Sequence, residues 1–300
     1  MNFKTLCFSF FISGFSLAVC NQLELDKNAS NASFRHSRNI AFSWFKSHHS
    51  ASDVITVEKH DANINAKFSY GPIGKDLEDE DVEVWIDTCG DKLTSLGTFK
   101  TDSDGRISPT LLSNQLPKAG AYRVLMRVVG DNTQNSFVLR IFEQGTQLAI
   151  FDFDGTLTYS DLNSNPRKGA PEITHAIKNL NKEIVYLSGR HYFLTHWTQK
   201  LLLENQFAEG SLIVGQSLSD IVPVESSVGE FKATYLTYLK SLGLVLERAY
   251  GNTETDVYAY QEVGIPNSQI FILGESGGLN GSVALGEGFL EHLQNLLTAS

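Results

Sequence analysis

Cysteine is scarce in this sequence, and the three that occur are badly placed for a disulfide framework. Cys7 lies inside an apolar N-terminal segment and Cys20 at its end, which leaves Cys89 without a predicted partner. A small fold held together by disulfides is therefore excluded as an interpretation. We expect the core to be stabilised by burial of apolar side chains instead.

Positive charge is also in short supply. Lys and Arg number 24 against 34 Asp and Glu, so the net charge is −10 and the isoelectric point about 5.3. No nucleic-acid partner is expected, because an acidic chain lacks the electrostatic attraction on which such binding depends. Any anionic ligand must meet a local group of cations. The 300 residues are 42% hydrophobic and 19% charged, which indicates a globular chain long enough for two domains.

An apolar run follows a single Lys at the N-terminus. It covers residues 6–19, which is short for a membrane-spanning helix and typical of a signal peptide. We predict a signal peptide over residues 1–20, cleaved before Asn21, and an exported protein, periplasmic or secreted. The alternatives are a buried helix, an uncleaved anchor, or lipidation of Cys20, for which Val19 is bulkier than the usual residue. Residues 21–52, rich in Asn, Ser and His, are predicted to form a flexible leader.

The segment 53–144 has the pattern of an all-β domain. Apolar residues alternate with polar ones over 63–70, 82–87, 122–129 and 137–142, and Gly, Asp and Asn between these stretches favour turns. Several short strands at this spacing predict an immunoglobulin-like β-sandwich.

From residue 145 to residue 300 the pattern changes to alternating strands and helices. Continuous apolar runs predict buried strands at 148–151, 184–187, 212–214, 246–250 and 270–273. Helical periodicity lies between them, at 171–182, 192–206, 230–241 and 255–263. We predict an α/β domain, Rossmann-like, with a parallel sheet whose ligands bind at the carboxyl ends of the strands.

Two carboxylates stand at the first of these strand ends. Period-two spacing places Asp152 and Asp154 on the same side, and Gly155 allows a tight turn beside a ligand. A carboxylate can attack phosphorus to form an aspartyl-phosphate, while a neighbouring acid protonates the leaving oxygen. We assign Asp152 as the nucleophile and Asp154 as the acid/base. A pair of strand-end aspartates that merely caps a helix is the alternative.

Later strand ends add groups suited to a phosphate and a metal. Ser188 and Gly189 offer a hydroxyl and a backbone N–H at a helix start, and Lys232 can neutralise charge on phosphoryl oxygens. Asn252 and Asp256 follow another strand and carry the oxygen donors that Mg²⁺ prefers. Each signal is weak alone, but their order makes the combination strong.

These residues resemble the haloacid dehalogenase superfamily. Asp152-Phe153-Asp154-Gly155-Thr156 matches its first motif, Ser188 the second, Lys232 the third, and the segment from Gly251 to Asp256 the fourth. The resemblance implies that Asp152 is the nucleophile, that Thr156, Ser188 and Lys232 bind the phosphoryl group, and that Mg²⁺ is the cofactor. Its ligands would be Asp152, Asp154 through its backbone carbonyl, and Asp256, with Asn252 as a further candidate.

A closer resemblance, over residues 54–275, is to the lipin/Nir2 C-terminal (LNS2) domain family. It rests on Phe68–Pro72, Tyr186–Arg190, Gly251–Tyr260 and Gly264–Pro266, and on the order of sandwich and α/β domain. Lipins are phosphatidate phosphatases, and the corresponding domain of the membrane-associated phosphatidylinositol transfer proteins recognises phosphatidate. Those non-catalytic domains have lost the nucleophilic Asp, whereas Asp152 is present here, so the resemblance implies a Mg²⁺-dependent phosphatase.

The short connection between the first two motifs bears on the substrate. Only 35 residues separate Asp152 from Ser188, which leaves little room for a cap and favours a headgroup presented at a membrane. Phosphatidate is the expected substrate and peripheral membrane contact is expected. Tyr159, Tyr192, Phe193 and Trp197 are candidates for lining the approach, with helix packing as the alternative for the last three. A phosphatase for a soluble ester and a non-catalytic phosphatidate-binding module are the alternative functions.

Overall fold

The computed structural model describes residues 19–20, 23–26, 33–160, 164–215 and 228–299. Residues 1–18, which carry most of the predicted signal peptide, lie outside the described residues.

Over the described residues, the N-terminal part is built from short strands, most of them antiparallel, and one α-helix, Ser37–Ser43 (α1). Its strands are Val19–Cys20 (β1), Ser50–Ala51 (β2), Val54–Val57 (β3), Ala62–Asn63 (β4), Ala66–Lys67 (β5), Ser69–Tyr70 (β6), Lys75–Asp76 (β7), Asp81–Ile86 (β8), Thr94–Lys100 (β9), Arg106–Ile107 (β10), Thr110–Leu111 (β11), Gly120–Val128 (β12) and Gln134–Phe142 (β13).

The larger sheet of this part has the order β3-β13-β12-β8-β9, with β1 beside β12. Strand β8 shows the expected alternation, because Val82, Val84 and Ile86 are fully buried while the residues between them are partly exposed. The small pairings β10-β5-β2, β11-β4 and β6-β7 supply the other side of the core, including Phe68 and Tyr70. The predicted β-sandwich domain is confirmed.

The C-terminal part is the predicted α/β domain. Its strands are Gln147–Asp152 (β14), Glu183–Ser188 (β15), Ser211–Val214 (β16), Val245–Gly251 (β17), Ile270–Ile272 (β18) and Val283–Ala284 (β19). Its helices are Ala170–Asn179 (α2), Thr195–Glu204 (α3), Val228–Ser241 (α4), Glu254–Glu262 (α5) and Leu290–Ala299 (α6).

All neighbouring strands of this sheet are parallel, in the order β16-β15-β14-β17-β18-β19. Helices cover both faces, so residues Leu148 to Phe151 of β14 have no exposed surface. A buried parallel sheet requires such continuous apolar runs, which is why the sequence located these strands correctly. The more specific Rossmann-like description of this domain stays a prediction.

The structure differs from the predicted flexible leader over residues 33–52. Helix α1 and strand β2 lie there, and the buried side chain of Asn39 donates to Glu80 at 2.7 Å. Glu80 also accepts from the backbone N–H groups of Arg35 and His36. These contacts join the segment to the sandwich, although its local sequence lacks periodicity.

The expectation that Cys89 has no partner is also wrong. Cys20 and Cys89 form a disulfide with their Cα atoms 5.0 Å apart. Strand β1 pairs with the start of β12. The end of β8 pairs with the residues of β12 that follow directly. That arrangement brings Cys20 beside the turn after β8, which no local pattern in the sequence indicates.

The sandwich covers the β16 edge of the parallel sheet. Asp53, just before β3, accepts from the N–H of Leu212 in β16 at 2.8 Å and from Val138 N–H at 2.9 Å, and its own N–H donates to Leu212 O. The buried guanidinium of Arg140 donates to Glu209 and to the carbonyl of Gly210. Because an unpaired edge strand exposes its backbone polar groups, these contacts stabilise the edge and join the two domains.

Candidate functional site

The sheet order brings the predicted site residues to one edge. Strand β14 lies between β15 and β17, so their carboxyl ends place Asp152, Ser188 and Gly251 next to one another. The loop after β17 carries Asn252, and α5 begins two residues later. Helix α4 brings Lys232 to the same edge. The polar groups of four separate sequence segments thus meet in one place.

The chain turns sharply directly after β14. Residues Phe153–Leu157 form a tight turn, in which Asp154 has an extended backbone and Gly155 has a φ of 75°. A Cβ atom at Gly155 would lie 2.4 Å from Nδ2 of Asn252, so a larger residue is excluded by space as well as by backbone conformation. Glycine here lets the Asn252 amide approach the backbone beside Asp152.

Lys232 lies between two carboxylates. Its Nζ is 2.6 Å from Oδ1 of Asp152 and 2.5 Å from Oδ1 of Asp256, and all three side chains are buried. Burial alone lowers the pKa of Lys232, but the charges of Asp152 and Asp256 outweigh burial and raise it, so Lys232 is a fixed cation. Burial raises the pKa of Asp152, and the Lys232 charge opposes that rise.

Asp256 is placed as a support for Lys232. Its Oδ1 accepts from Lys232, while its Oδ2 accepts from the N–H groups of Asn252 and Thr253 and from the Thr253 hydroxyl. Both oxygens are therefore occupied by protein donors. The geometry does not favour Asp256 as the metal ligand predicted from the sequence, because its place at the start of α5 commits it to capping.

Asn252 comes closer to the expected position of a metal. One terminal atom of its amide lies 2.9 Å from Thr156 Oγ1, 3.1 Å from the backbone oxygen of Asp154 and 3.3 Å from Oδ2 of Asp152. With the amide oxygen in that place, oxygens of Asp152, Asp154 and Asn252 face one another without a proton between them. With the nitrogen there, the amide donates to them and the protein alone satisfies the group.

The oxygen-inward arrangement fits Mg²⁺. Ligand oxygens about 2.1 Å from an octahedral Mg²⁺ lie roughly 3 Å apart at adjacent corners, close to the separations found here. The donors would be one carboxylate, one backbone carbonyl and one amide. Within the described ranges no group of three or more His, Cys, Asp and Glu side chains is arranged to hold a metal. A site built from one carboxylate, one carbonyl and one amide contains no such group.

The carboxylate of Asp154 is held by Arg190. The guanidinium contacts Oδ1 through Nε at 2.8 Å and Nη2 at 2.6 Å, and Ser188 Oγ donates to Oδ2 at 3.1 Å. The Arg190 N–H in turn donates to Ser188 Oγ. The rings of Phe153 and Trp197 lie against the guanidinium carbon at 4.8 and 4.5 Å. The Asp154 carboxylate is therefore directed at Arg190 and Ser188.

Sequence reasoning missed the role of Arg190. Arg190 directly follows Ser188 and Gly189 at a strand end. That position in the sequence could have indicated that its side chain lies at the site. Gly189 is exposed between its two buried neighbours, whereas the hydroxyl of Thr156 is buried and donates to Oδ2 of Asp152 at 2.7 Å. The structure thus brings all the predicted phosphate-site residues to the same edge, with Ser188 and Thr156 already bonded to the two carboxylates.

Fold and site together define a class of protein: a β-sandwich joined to a parallel α/β domain that carries a buried carboxylate–lysine site at its strand ends. The family described as "PITM 1-3, LNS2 domain" matches residues 149–274, and "PITM 1-3, beta-sandwich domain" matches residues 47–141. The chain belongs to this family, and the resemblance to LNS2 domains is confirmed.

Curated relatives agree with this assignment. Protein retinal degeneration B of Drosophila melanogaster is 30% identical over 258 residues, which cover 83% of this chain and 20% of that protein. Membrane-associated phosphatidylinositol transfer protein 1 of Rattus norvegicus is 30% identical over 264 residues, covering 85% and 21%. This chain therefore spans about a fifth of the length of these relatives. A structure of PhoD matches with a TM-score of 0.31 and 10% identity over 74% of this chain and 45% of that one, which is too low to indicate a shared fold.

The comparisons overturn the predicted export. The relatives are named as Protein retinal degeneration B and as membrane-associated phosphatidylinositol transfer proteins, and not as secreted or exported enzymes. The predicted signal peptide and the periplasmic or secreted location are therefore wrong. A short apolar run after a lysine is a compositional signal that other N-terminal segments share. No helix in the described part of the chain is both long and apolar enough to cross a membrane.

Proposed function

We propose that this chain binds the phosphomonoester headgroup of a membrane phospholipid, phosphatidate first of all, and hydrolyses it with Asp152 as the nucleophile and Mg²⁺ as the cofactor. The observation that carries the proposal is the position of Asp152, at a strand end beside the Lys232 cation and close to the side-chain amide of Asn252. The relatives named as phosphatidylinositol transfer proteins support a phospholipid ligand.

The chemistry needs two steps. A carboxylate oxygen of Asp152 attacks phosphorus, the bond from phosphorus to the lipid oxygen breaks, and the leaving oxygen takes a proton from the Asp154 carboxyl group. Water then attacks the aspartyl-phosphate, gives its proton to Asp154, and releases inorganic phosphate with Asp152 restored. Lys232 stays charged throughout and offsets negative charge on the phosphoryl oxygens. Mg²⁺, when bound through Asp152, Asp154 and Asn252, would supply further positive charge at the phosphoryl group.

A second function is favoured by one contact. Because Arg190 holds the Asp154 carboxylate from two nitrogens, the arrangement as it stands has no acid directed at a leaving group. A module that binds phosphatidate without turnover needs no such acid. Release of Asp154 from Arg190 when a phosphate binds distinguishes the enzyme from the module.

The deciding experiment compares release with binding. The purified protein with Mg²⁺ is assayed for phosphate release from phosphatidate vesicles and from glycerol 3-phosphate, alongside vesicle sedimentation of Asp152→Asn. We expect faster release from phosphatidate and retained vesicle binding by the variant. Faster turnover of the soluble ester would instead identify a soluble-ester phosphatase, and binding without any release by the unmutated chain would identify the module.

A further inference from the structure

Three large apolar side chains near the end of α1 are unusually exposed. Trp44 and Phe45 follow the helix and are 83% and 56% exposed, and Ile73 is 86% exposed in the turn after β6. A single exposed apolar side chain is ordinary on a protein surface. Three within two adjoining segments need an explanation.

The two segments are in contact. The Phe45 ring lies 3.5 Å from the place of a Cβ on Gly71, whose N–H donates to the carbonyl of Lys46 at 2.9 Å. A hydrogen bond from Gly74 N–H to Gly71 O closes the turn that carries Ile73. We call Trp44, Phe45 and Ile73 the apolar tip.

A cavity of about 470 Å³ adjoins the tip. Lys46 and His48 line one side of it, and Phe193, His196 and Trp197 line the other, between the sandwich and α3. No Asp or Glu stands among the described residues that line the cavity, although the chain has a net charge of −10. Lys46 and Lys200 are the lysines that line the cavity, and Lys200 is paired with Glu204 at 3.6 Å. We therefore expect Lys46 to attract anions to the mouth of the cavity, the part next to the apolar tip.

One side chain, Trp197, lies between the cavity and the candidate site. Trp197 is 41% exposed and lines the cavity, while its ring packs at 4.5 Å on the guanidinium of Arg190. Arg190 binds Asp154 directly. Apolar tip, cavity and strand-end site are thus connected through neighbouring side chains.

We propose that the apolar tip and the adjoining mouth of the cavity form the surface by which this chain docks on an anionic phospholipid bilayer. Trp44, Phe45 and Ile73 enter the membrane interface, where aromatic and apolar side chains leave water while remaining near polar groups. Lys46 meets the negative surface of the bilayer, an attraction that salt weakens. The inference rests on the proposed function only in that a lipid-bound phosphate must be brought to the site.

Continuity with the phosphate site favours a bilayer over a protein partner. A tip that inserts beside the cavity places lipid headgroups next to Trp197, whose ring packs on Arg190, whereas a protein on the same surface would cover that approach. A second copy of this chain is the other occupant that the experiment examines.

The test uses tryptophan fluorescence with brominated lipid. The chain has three Trp residues, Trp44, Trp85 and Trp197, and Trp85 lies within strand β8 of the sandwich. Vesicles of brominated phosphatidylcholine with phosphatidylserine should quench the emission, and Trp44→Phe should remove most of that quenching. Phosphatidylserine carries no phosphomonoester, so docking is measured separately from recognition at Asp152.

Matched variants then measure affinity. Trp44→Ser combined with Ile73→Ser should weaken vesicle binding by about 10-fold or more, and Lys46→Gln should reduce its salt dependence. Val245→Ser is the control, because Val245 is 43% exposed at the opposite end of β17 from the site. Phosphate release from glycerol 3-phosphate should be the same in all of them.

Several outcomes would overturn the docking surface. Unchanged vesicle binding in the double variant would do so, as would equal binding to vesicles without anionic lipid. Loss of a dimer in the same variant by analytical ultracentrifugation, with vesicle binding retained, would assign the tip to a second copy. A chain that releases no phosphate from any substrate would refute the proposed enzyme, while the fluorescence result would still decide the docking surface.

Discussion

Two buried carboxylates, Asp53 and Asp152, have similar exposure and different surroundings. They are 5% and 3% exposed, and burial raises the pKa of both. Asp53 accepts from backbone N–H groups of two strands, at 2.9 and 2.8 Å. Asp152 accepts from the side chains of Lys232 and Thr156, and its Oδ2 also faces Asn252.

The difference separates a structural carboxylate from one that we propose to act as a nucleophile. Backbone donors in paired strands cannot move away without disrupting a sheet, so Asp53 is fixed at the junction of two domains. Side-chain donors can rearrange when a ligand arrives, and acceptor oxygens that face each other leave room for a cation. Burial alone therefore does not identify a functional carboxylate; the nature of its partners does.

The largest expected effect is at Asp152. Asp152→Asn should lower phosphate release from phosphatidate by about 10³-fold or more, because the amide cannot act as the nucleophile. The midpoint of thermal unfolding should change little, since size and shape are kept. Steady-state release assays with differential scanning calorimetry check both expectations, and undiminished turnover would remove the distinction between the two carboxylates.

Asp53→Ala should show the opposite behaviour. Two buried backbone N–H groups lose their acceptor, so we expect the free energy of unfolding to fall by about 3 kcal/mol. Release per folded molecule should stay within about 2-fold of the unmutated chain, a change of less than about 0.5 kcal/mol on the usual conversion. Urea unfolding monitored by circular dichroism supplies the first value. A variant as stable as the parent would show that the domain junction does not depend on Asp53.

Substitutions at Asn252 test whether Mg²⁺ binds beside Asp152. Asn252→Ala should weaken Mg²⁺ binding by at least about 10-fold, while Asn252→Asp should bind Mg²⁺ more tightly because it adds a negative charge. Isothermal titration with Mg²⁺ measures this without relying on turnover. Equal affinity in all three proteins would mean that the amide nitrogen, and not its oxygen, faces Asp154 and Asp152.

The smallest expected effect is the pH dependence of the Asp53 contribution. Burial raises the pKa of Asp53, although the backbone N–H groups that it accepts from and the charge of Arg140 oppose that rise, so Asp53 is protonated more readily in the native state than in the unfolded chain. The stability that protonation adds is full below the unfolded-state pKa and is lost as pH rises through the folded-state pKa. Asp53→Asn has no titrating group at this position. The free energy of unfolding of the unmutated chain minus that of Asp53→Asn should therefore fall as the pH rises above about 4. Urea titrations across that range would reveal a flat difference if the prediction is wrong.

The local sequence was sufficient for most of the architecture. Alternation of polar and apolar residues located the sandwich strands, and the continuous apolar run before Asp152 located the central strand, because both patterns reflect which faces are buried. The glycine at position 155 was also interpretable, since a tight turn beside a carboxylate requires it. These features depend on residues that are neighbours along the chain.

The partners of individual side chains were decided only by the tertiary structure. Asp256 holds Lys232 and caps α5, Arg190 clamps Asp154, and Cys20 reaches Cys89. Each of these contacts depends on which loops the strand order places side by side, and the same residues in another order would have other neighbours. The sequence by itself determined the elements and the kinds of chemical group at their ends. The tertiary structure decided which of those groups touch, because a buried polar atom takes its role from the donors and acceptors that surround it.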